Sequence, residues 1–443
     1  MQNDETNERS NNVLDTDEST QQNSTENTQG EHVQQQEVLE QHSNEQQKLN
    51  DAILQQIDND EPIFILVSNP SEVKSSSMNK YLVYTVKGKD ALGNFEVQRR
   101  FNEFYILREA LLSIWPGLYI PPLPDKLVNP TGDELLERVR LLNIFVMKMA
   151  QIKYLYYSEE FVQIFLRSTQ TDVCKQIQSL PKPNIRSQID KFKHIFETDQ
   201  VQEPDINSIN KINQMQKFCK QSQQLLIKLF DQAKSLSGSR RCLKELFHSF
   251  FGIGLYEFEQ QILLPCLESQ KYLILTNPDA QELKSTLDYL KEQNQISLDK
   301  IQDLISTEQR DMEAFLQGFQ QRESLLHLKS KVENKLREQQ EQLTKVMIGK
   351  GTSFGNKNQE EQRQKIEMQI VESQNDVDSY KYYYQLVTHV LTTKAIDKFK
   401  KDKHESYKRI IRDLSQLEIE NHQVMQEVWT RVISLAESLK VKE

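Results

Sequence analysis

The sequence predicts a multidomain chain: a small α+β unit, built on a three-stranded antiparallel sheet plus helices, followed by an all-α array of long helices. Three observations predict it. Residues 61–168 pass from alternating β-branched runs to apolar positions at helical spacing. Residues 205–443 hold sparse apolar positions among Gln and charged residues, with prolines confined to Pro265 and Pro278. Glycine and proline number 12 each while charged residues make up 27%, a balance of helix rather than loop.

Residues 1–60 carry fourteen Asp/Glu against Arg9 and Lys48, and few apolar side chains. Such a segment buries too little to offset chain entropy, so a disordered acidic tail is expected. It serves either as a solubilising tail or as a carrier of partner-binding sites. The whole chain has a net charge of −10 and the tail −12, so the body is near neutral and can still present a basic face. The four cysteines, at 174, 219, 242 and 266, form no metal spacing and read as reduced thiols of a cytosolic protein. No run of about eighteen apolar residues exists, so no membrane span is expected.

Within 61–168, Ile63–Val67, Tyr81–Val86 and Phe95–Gln98 read as strands, punctuated by Asn69-Pro70 and Gly93-Asn94. Asn102 is the expected N-cap of a helix whose apolar face is Phe104, Leu107, Leu111 and Ile114. Trp115-Pro116-Gly117 ends it, and Pro121-Pro122-Leu123-Pro124 reads as an extended arm. A second helix begins near Asp133, with Leu135, Val139, Leu142, Val146 and Met149 on one stripe. Arg138 lies at the edge of that stripe, where its stem packs and its head reaches a pocket. Arg140 falls on the far side and should be solvated. A third helix is expected near Ser158–Leu166.

The stretch Arg99-Arg100-Phe101-Asn102-Glu103-Phe104 sits where strand gives way to helix. Arg100, Lys126 and Arg138 supply three cations and Phe101 a ring face. That set suits one small, multiply charged anion carried on a ring, and is read as a phosphoinositide head-group site. Arg99 precedes Arg100 by one strand residue, so it points the other way and should stabilise the fold.

Residues 169–204 form a linker with an amphipathic helix, its apolar arc being Ile185, Ile189, Phe192, Ile195 and Phe196, edged by Arg186, Lys191 and Lys193. Two readings stay open: an interfacial membrane helix, or a helix packed on the following domain. Beyond it, a first helical segment should reach about Gln270, broken near Ser237-Gly238 and Gly252–Gly254. A second should run from Asp279 to Ile348 and a third from Gln359 to Leu439. An 80-residue helix spans roughly 120 Å and needs partners along its length, so a dimerising three-helix antiparallel bundle is expected. Between Leu391 and Arg412 eight Lys/Arg, including Lys398, Lys400 and Lys401, face three acids. That basic patch is either a merely solvated face or a contact with an anionic bilayer.

These motifs resemble a known family. Residues 61–168 resemble a PX (phox homology) domain in the Arg-Arg-Phe-x-x-Phe turn, the Pro-Pro-Leu-Pro-x-Lys arm and the Glu137-Arg138…Leu142…Phe145 helix. Residues 205–443 are similar to the BAR domain of sorting nexins, in Arg322-Glu323-x-Leu-Leu with its following Gly-Lys-Gly loop and in Phe399–Leu439 with Trp429. The resemblance implies Arg100 on a 3-phosphate, Phe101 under the inositol ring, Lys126 on the 1-phosphate and Arg138 on the 4- and 5-hydroxyls. Leu127 and Val128 would dip into the membrane. Phosphatidylinositol 3-phosphate is the lipid most favoured, a bisphosphate staying open. It further implies a peripheral protein of early endosome membranes, on their cytosolic face, sensing or generating curvature as a homo- or heterodimer in endosomal sorting and recycling. A retromer-type cargo complex is a candidate partner, and neither nucleic acid nor a cofactor is expected. The rivals are a curvature-independent tether or autophagy adaptor, and a coiled-coil scaffold whose PX block binds protein. Gly349-Lys350-Gly351-Thr352 lacks P-loop spacing, His404-Glu405 lacks a second histidine, and no catalytic constellation emerges.

Overall fold

The structure, a computed structural model, describes residues 63–74, 80–128, 130–156, 158–170, 172–181, 184–198, 201, 203–267, 273, 280–348 and 356–438. The acidic tail, the Gly349–Thr352 loop and Leu439 lie outside the described residues. The chain divides into two compact units. One is Met1–Phe64 with Gly88–Phe95, whose described part includes a turn closed by the Leu92 amide donating to Asp90 Oδ1. The other is Ile65–Lys87 with Glu96–Glu443.

Strands β1 (Phe64–Lys74), β2 (Lys80–Asp90) and β3 (Gly93–Arg100) form one sheet in the order β1-β2-β3. Alternation decides what each strand buries. Ile65 and Val67 turn inward from β1, Tyr84 and Val86 from β2, and Val97 and Arg99 from β3. Helix α1 (Phe101–Ile114) follows β3 directly, and α2 (Gly132–Ala150) follows the proline arm. Their inner faces meet the sheet through Phe104, whose ring makes edge contacts with Tyr84 and Phe145 at 6.3 Å and Phe165 at 4.8 Å.

α1 begins one residue earlier than its predicted cap. The Glu103 carboxylate accepts from the Arg100 amide at 2.7 Å, so the third helical residue reaches back as in a capping box. Asn102 instead donates to Cys174 Sγ. The helix expected near Ser158–Leu166 is a π-helical turn, Glu160–Phe165. Two short helices follow, α3 (Val173–Ser179) and α4 (Ile185–Phe196), the latter capped by Asn184 accepting from the Ser187 amide.

Three long helical runs complete the chain. α5 (Ile206–Phe247) passes Gly238 without a break and carries on through π and α turns to Leu267. The expected break at Gly252–Gly254 is a π turn, His248–Leu255, which absorbs the glycines without ending the helix. α6 (Ala280–Met347) is the second run. α7 (Asn356–Val390) passes through a π turn, Leu391–Ala395, into α8 (Ile396–Ser438).

α6 packs along α5, α7 and α8. One apolar cluster joins Ile212 and Cys219 of α5, Met312 and Phe319 of α6, and Phe399 of α8, with Phe315 stacked on Phe399 at 4.1 Å. A second joins Leu226 and Phe230 to Leu298, Ile301, Ile305 and Leu417. Rising numbers on α5 and α8 thus meet falling numbers on α6, so α6 runs antiparallel to both. Among the described residues no helix is long and apolar enough to cross a membrane.

Candidate functional site

The β3–α1 junction sets two arginines to opposite uses. Arg99 is buried and donates to the carbonyls of Gln98, Ile164, Phe165 and Ser168. It closes the carbonyl-rich end of the Glu160–Phe165 turn, as strand alternation predicts. Burial pushes its guanidinium below the usual value, with Glu103 pulling it back. Arg99→Ala should therefore lower the unfolding free energy by at least about 1.5–3 kcal/mol, the scale of a hydrogen bond to a charged group. Chemical denaturation checks this, and an unchanged midpoint would refute the structural role.

Arg100 is exposed, its guanidinium 3.3 Å from the centre of the Tyr81 ring. Arg138 is 4% exposed and lies over the Phe101 ring at 4.6 Å. Its Nη2 donates to the Leu127 carbonyl at 2.8 Å and, more weakly, to Asp125 O at 3.4 Å. Its Nε is buried with no hydrogen-bond partner. Lys126 is exposed, with Nζ 5.9 Å from the Tyr105 ring. Among the described residues no carboxylate pairs with Arg100, Lys126 or Arg138. The three cations thus lie over three rings. Leu127 and Val128 project beyond Lys126, Val128 being 89% exposed.

The arm between α1 and α2 is fastened to α6. Arg108 donates to Pro121 O and to Gln317 Oε1, and Asp125 pairs with Arg310 at 3.0 Å. Tyr119 donates to Asp311 Oδ1 at 2.7 Å. Asp311 also holds Lys148 of α2 and Lys403 of α8, and Glu308 takes a second bond from Lys403. Gly117, at φ +87°, and Gly318 of α6 allow the backbones to close: a Cβ on Gly318 would lie 2.8 Å from Leu118 O.

A family model described as the PX domain matches residues 88–169. Sorting nexin-4 of Cryptococcus neoformans is 32% identical over 170 residues, 35% of this chain and 34% of that protein. Autophagy-related protein 20 of Gibberella zeae is 30% identical over 114 residues, 23% of this chain and 18% of that protein. The chain thus spans about a third or less of the length of these curated relatives. A cryo-EM structure of the SNX-BAR Mvp1 tetramer superposes with a TM-score of 0.52 at 14% identity, covering 83% of this chain and 99% of that one.

Residues 88–169 match a PX domain, and the chain shares its overall fold with an SNX-BAR structure. The PX domain carries the three cation–ring pairs, and α5 to α8 are the long helices of the shared fold.

Three expectations change on this frame. The linker helix α4 packs on protein, the second of the two readings. Ile189 and Phe192 are buried, Phe192 lying 5.1 Å from Trp115 and 5.2 Å from Tyr383. Phe196 and Ile185 are half-buried, with Phe196 against Tyr154. An aromatic slot between the PX domain and α7 covers that face. Arg140 is not solvated but pairs with Glu137 and with Asp303 of α6. Lys403 leaves the basic patch for the buried pairs with Asp311 and Glu308, whereas Lys398, Lys400 and Lys401 stay exposed.

Tyr81, Tyr105 and the Asp311 cluster are the site elements that sequence reasoning missed. Tyr105 was legible, since it stands one helical turn after Phe101. Nothing local links Tyr119, Lys148, Asp311 and Lys403.

Proposed function

We propose that this chain is a peripheral membrane protein that reads a 3-phosphorylated phosphoinositide through the PX domain and dimerises through the BAR-type helices. The observation that carries this is Arg138, set over the Phe101 ring with its Nε left without a partner and bonded to Leu127 O, so that it joins the neighbours of Arg100 and Lys126; among the described residues none of these three cations is paired with a carboxylate. Guanidinium forks suit phosphate and vicinal hydroxyl oxygens, and lysine suits a looser phosphate contact. Leu127 and Val128 would enter the leaflet beside the head group. Large apolar side chains stand exposed on α5 and its extension, among them Leu225, Leu246 and Phe250, and a second BAR-type subunit would cover them. Two pockets on one dimer make the second lipid contact effectively intramolecular. The role that follows is curvature-linked sorting and recycling on the cytosolic face of early endosomes, with a retromer-type complex as the candidate cargo partner.

Flotation of the purified chain with liposomes containing each phosphoinositide tests the lipid. Arg100→Ala should weaken binding to phosphatidylinositol 3-phosphate about ten- to hundredfold, from the ~1.5–3 kcal/mol of charge-assisted bonds lost, without lowering thermal stability. Survival of flotation in that variant would instead favour a PX block that binds protein. Lys400→Glu with Lys401→Glu should reduce binding to anionic liposomes, at about 1 kcal/mol per cation near a bilayer, and the loss should shrink as salt rises. Indifference to that reversal would mark the patch as merely solvated.

The similarity to autophagy-related protein 20 gives a second role on the same fold, a tether or autophagy adaptor that does not shape membranes. Strong lipid binding without tubules at high protein density would select it.

A further inference from the structure

Between the PX domain and α8 lies a cavity of about 620 Å³ whose lining does not include Arg100, Lys126 or Arg138. Four parts of the chain wall it, namely the PX segment around Tyr119 and Tyr154, Phe196 at the end of α4, Asp311 of α6, and the Leu391–Ala395 turn with one face of α8. Its floor is aromatic. Tyr119 meets Phe399 at 5.9 Å, Tyr154 meets Phe196 at 5.8 Å, and the Tyr154 hydroxyl donates to Tyr119 O. Lys148, Asp311 and Lys403 also line it, the two lysines already neutralised by Asp311 and Glu308.

The rim differs. Lys394, Lys398 and Arg409 are exposed there, Lys394 anchored by its bond to Phe196 O. Against them stand Asp402 and Glu405, and Glu405 is engaged by Lys408 at 2.9 Å. The rim is therefore net cationic over an apolar, aromatic floor. A pocket of several hundred Å³ with that division of labour suits a small molecule rather than a protein surface. An apolar body would displace water from the rings, and an anionic group would meet the rim cations.

We propose that this seam cavity is a second ligand site, taking a small amphiphilic anion with one phosphate or carboxylate group on an apolar body. Lys398 and Arg409 stand three turns, about 16 Å, apart on α8, so the single anionic group docks on one of them, and Tyr119, Tyr154, Phe196 and Phe399 cover the body. Lys398 thereby has a different task from Lys400 and Lys401, which lie on the same helix but outside the cavity lining.

Calorimetric titration of the full chain tests it with three probes: dihexanoyl phosphatidic acid below its micelle concentration, inorganic phosphate, and inositol 1,3-bisphosphate. The short phosphatidic acid should bind once per chain, and inorganic phosphate about tenfold or more weakly, because it lacks the apolar body. Lys398→Glu with Arg409→Glu should weaken the phosphatidic acid about tenfold or more. Both side chains are exposed, so the thermal midpoint should hold. Lys400→Glu with Lys401→Glu, and Arg100→Ala, should leave it unchanged. The inositol bisphosphate reports separately on the PX pocket: it should be weakened by Arg100→Ala and untouched by the seam reversals. The proposal is overturned if the phosphatidic acid fails to bind, or binds equally well after the Lys398 and Arg409 reversals. It is overturned equally if Arg100→Ala abolishes phosphatidic acid binding, or if inorganic phosphate binds as tightly.

Discussion

Asp311→Ala is expected to lower the unfolding free energy by about 3–5 kcal/mol, the cost of stranding buried charge. Asp311 is 3% exposed and receives Lys148, Lys403 and the Tyr119 hydroxyl. Without it Lys403 stays largely buried and Lys148 half-buried, and only Lys403 keeps a carboxylate, Glu308. Lys148→Met added to Asp311→Ala should recover part of the loss, since it removes the stranded charge. Equilibrium denaturation of the single and double variants measures both. A single variant as stable as the parent would show that the cluster is open to water in solution.

The same carboxylate gives a pH dependence of definite sign. Burial pushes the Asp311 carboxyl up, but Lys403 and Lys148 outweigh burial and hold it below the ordinary value. A carboxyl lowered in the folded state binds its proton more weakly there than in the unfolded chain. Its contribution is full above the unfolded value of about 3.9, and fades as pH falls through the folded value. Parent and Asp311→Ala should thus differ most near neutrality and converge in acid.

Gly117→Ala is expected to cost about 2–5 kcal/mol, from about 1–2 for a left-handed backbone and about 1–3 for overpacking. At φ +87° the added Cβ would overlap Val387 Cγ1 and stand 3.4 Å from Arg322 Cβ. Gly318→Ala meets the Leu118 carbonyl from the other side, and a backbone oxygen has nowhere to rotate. Both variants should expose the arm near Leu118 to limited proteolysis while the PX core keeps its own packing. Resistance equal to the parent would mean that the close approach is not kept in solution.

Local pattern carried the strands, the two PX helices and the long runs, because burial follows a period of two or 3.6 wherever one face meets a core. Alternation alone separated Arg99 from Arg100. It was less informative where partners are distant. Nothing near Phe192 says whether its face meets lipid or Trp115 and Tyr383, and nothing near Lys403 separates a surface lysine from one paired with Asp311. Glycines at 252 and 254 read as a break because the sequence does not show that a π turn can absorb them. Tyr81 reads in the sequence only as a strand residue, since its cation partner arrives from another strand.

The fastening of the proline arm to α6, through Asp125 with Arg310 and Tyr119 with Asp311, has a mechanical consequence. A PX module hung on a loose tether would search a volume, and its reach would be set by the tether. Here the module is bolted to the beam. In any dimer of this chain the two pockets would keep a fixed span and tilt, acting like the jaws of a caliper: a surface whose shape misfits the span would engage one jaw and lose the avidity of the second.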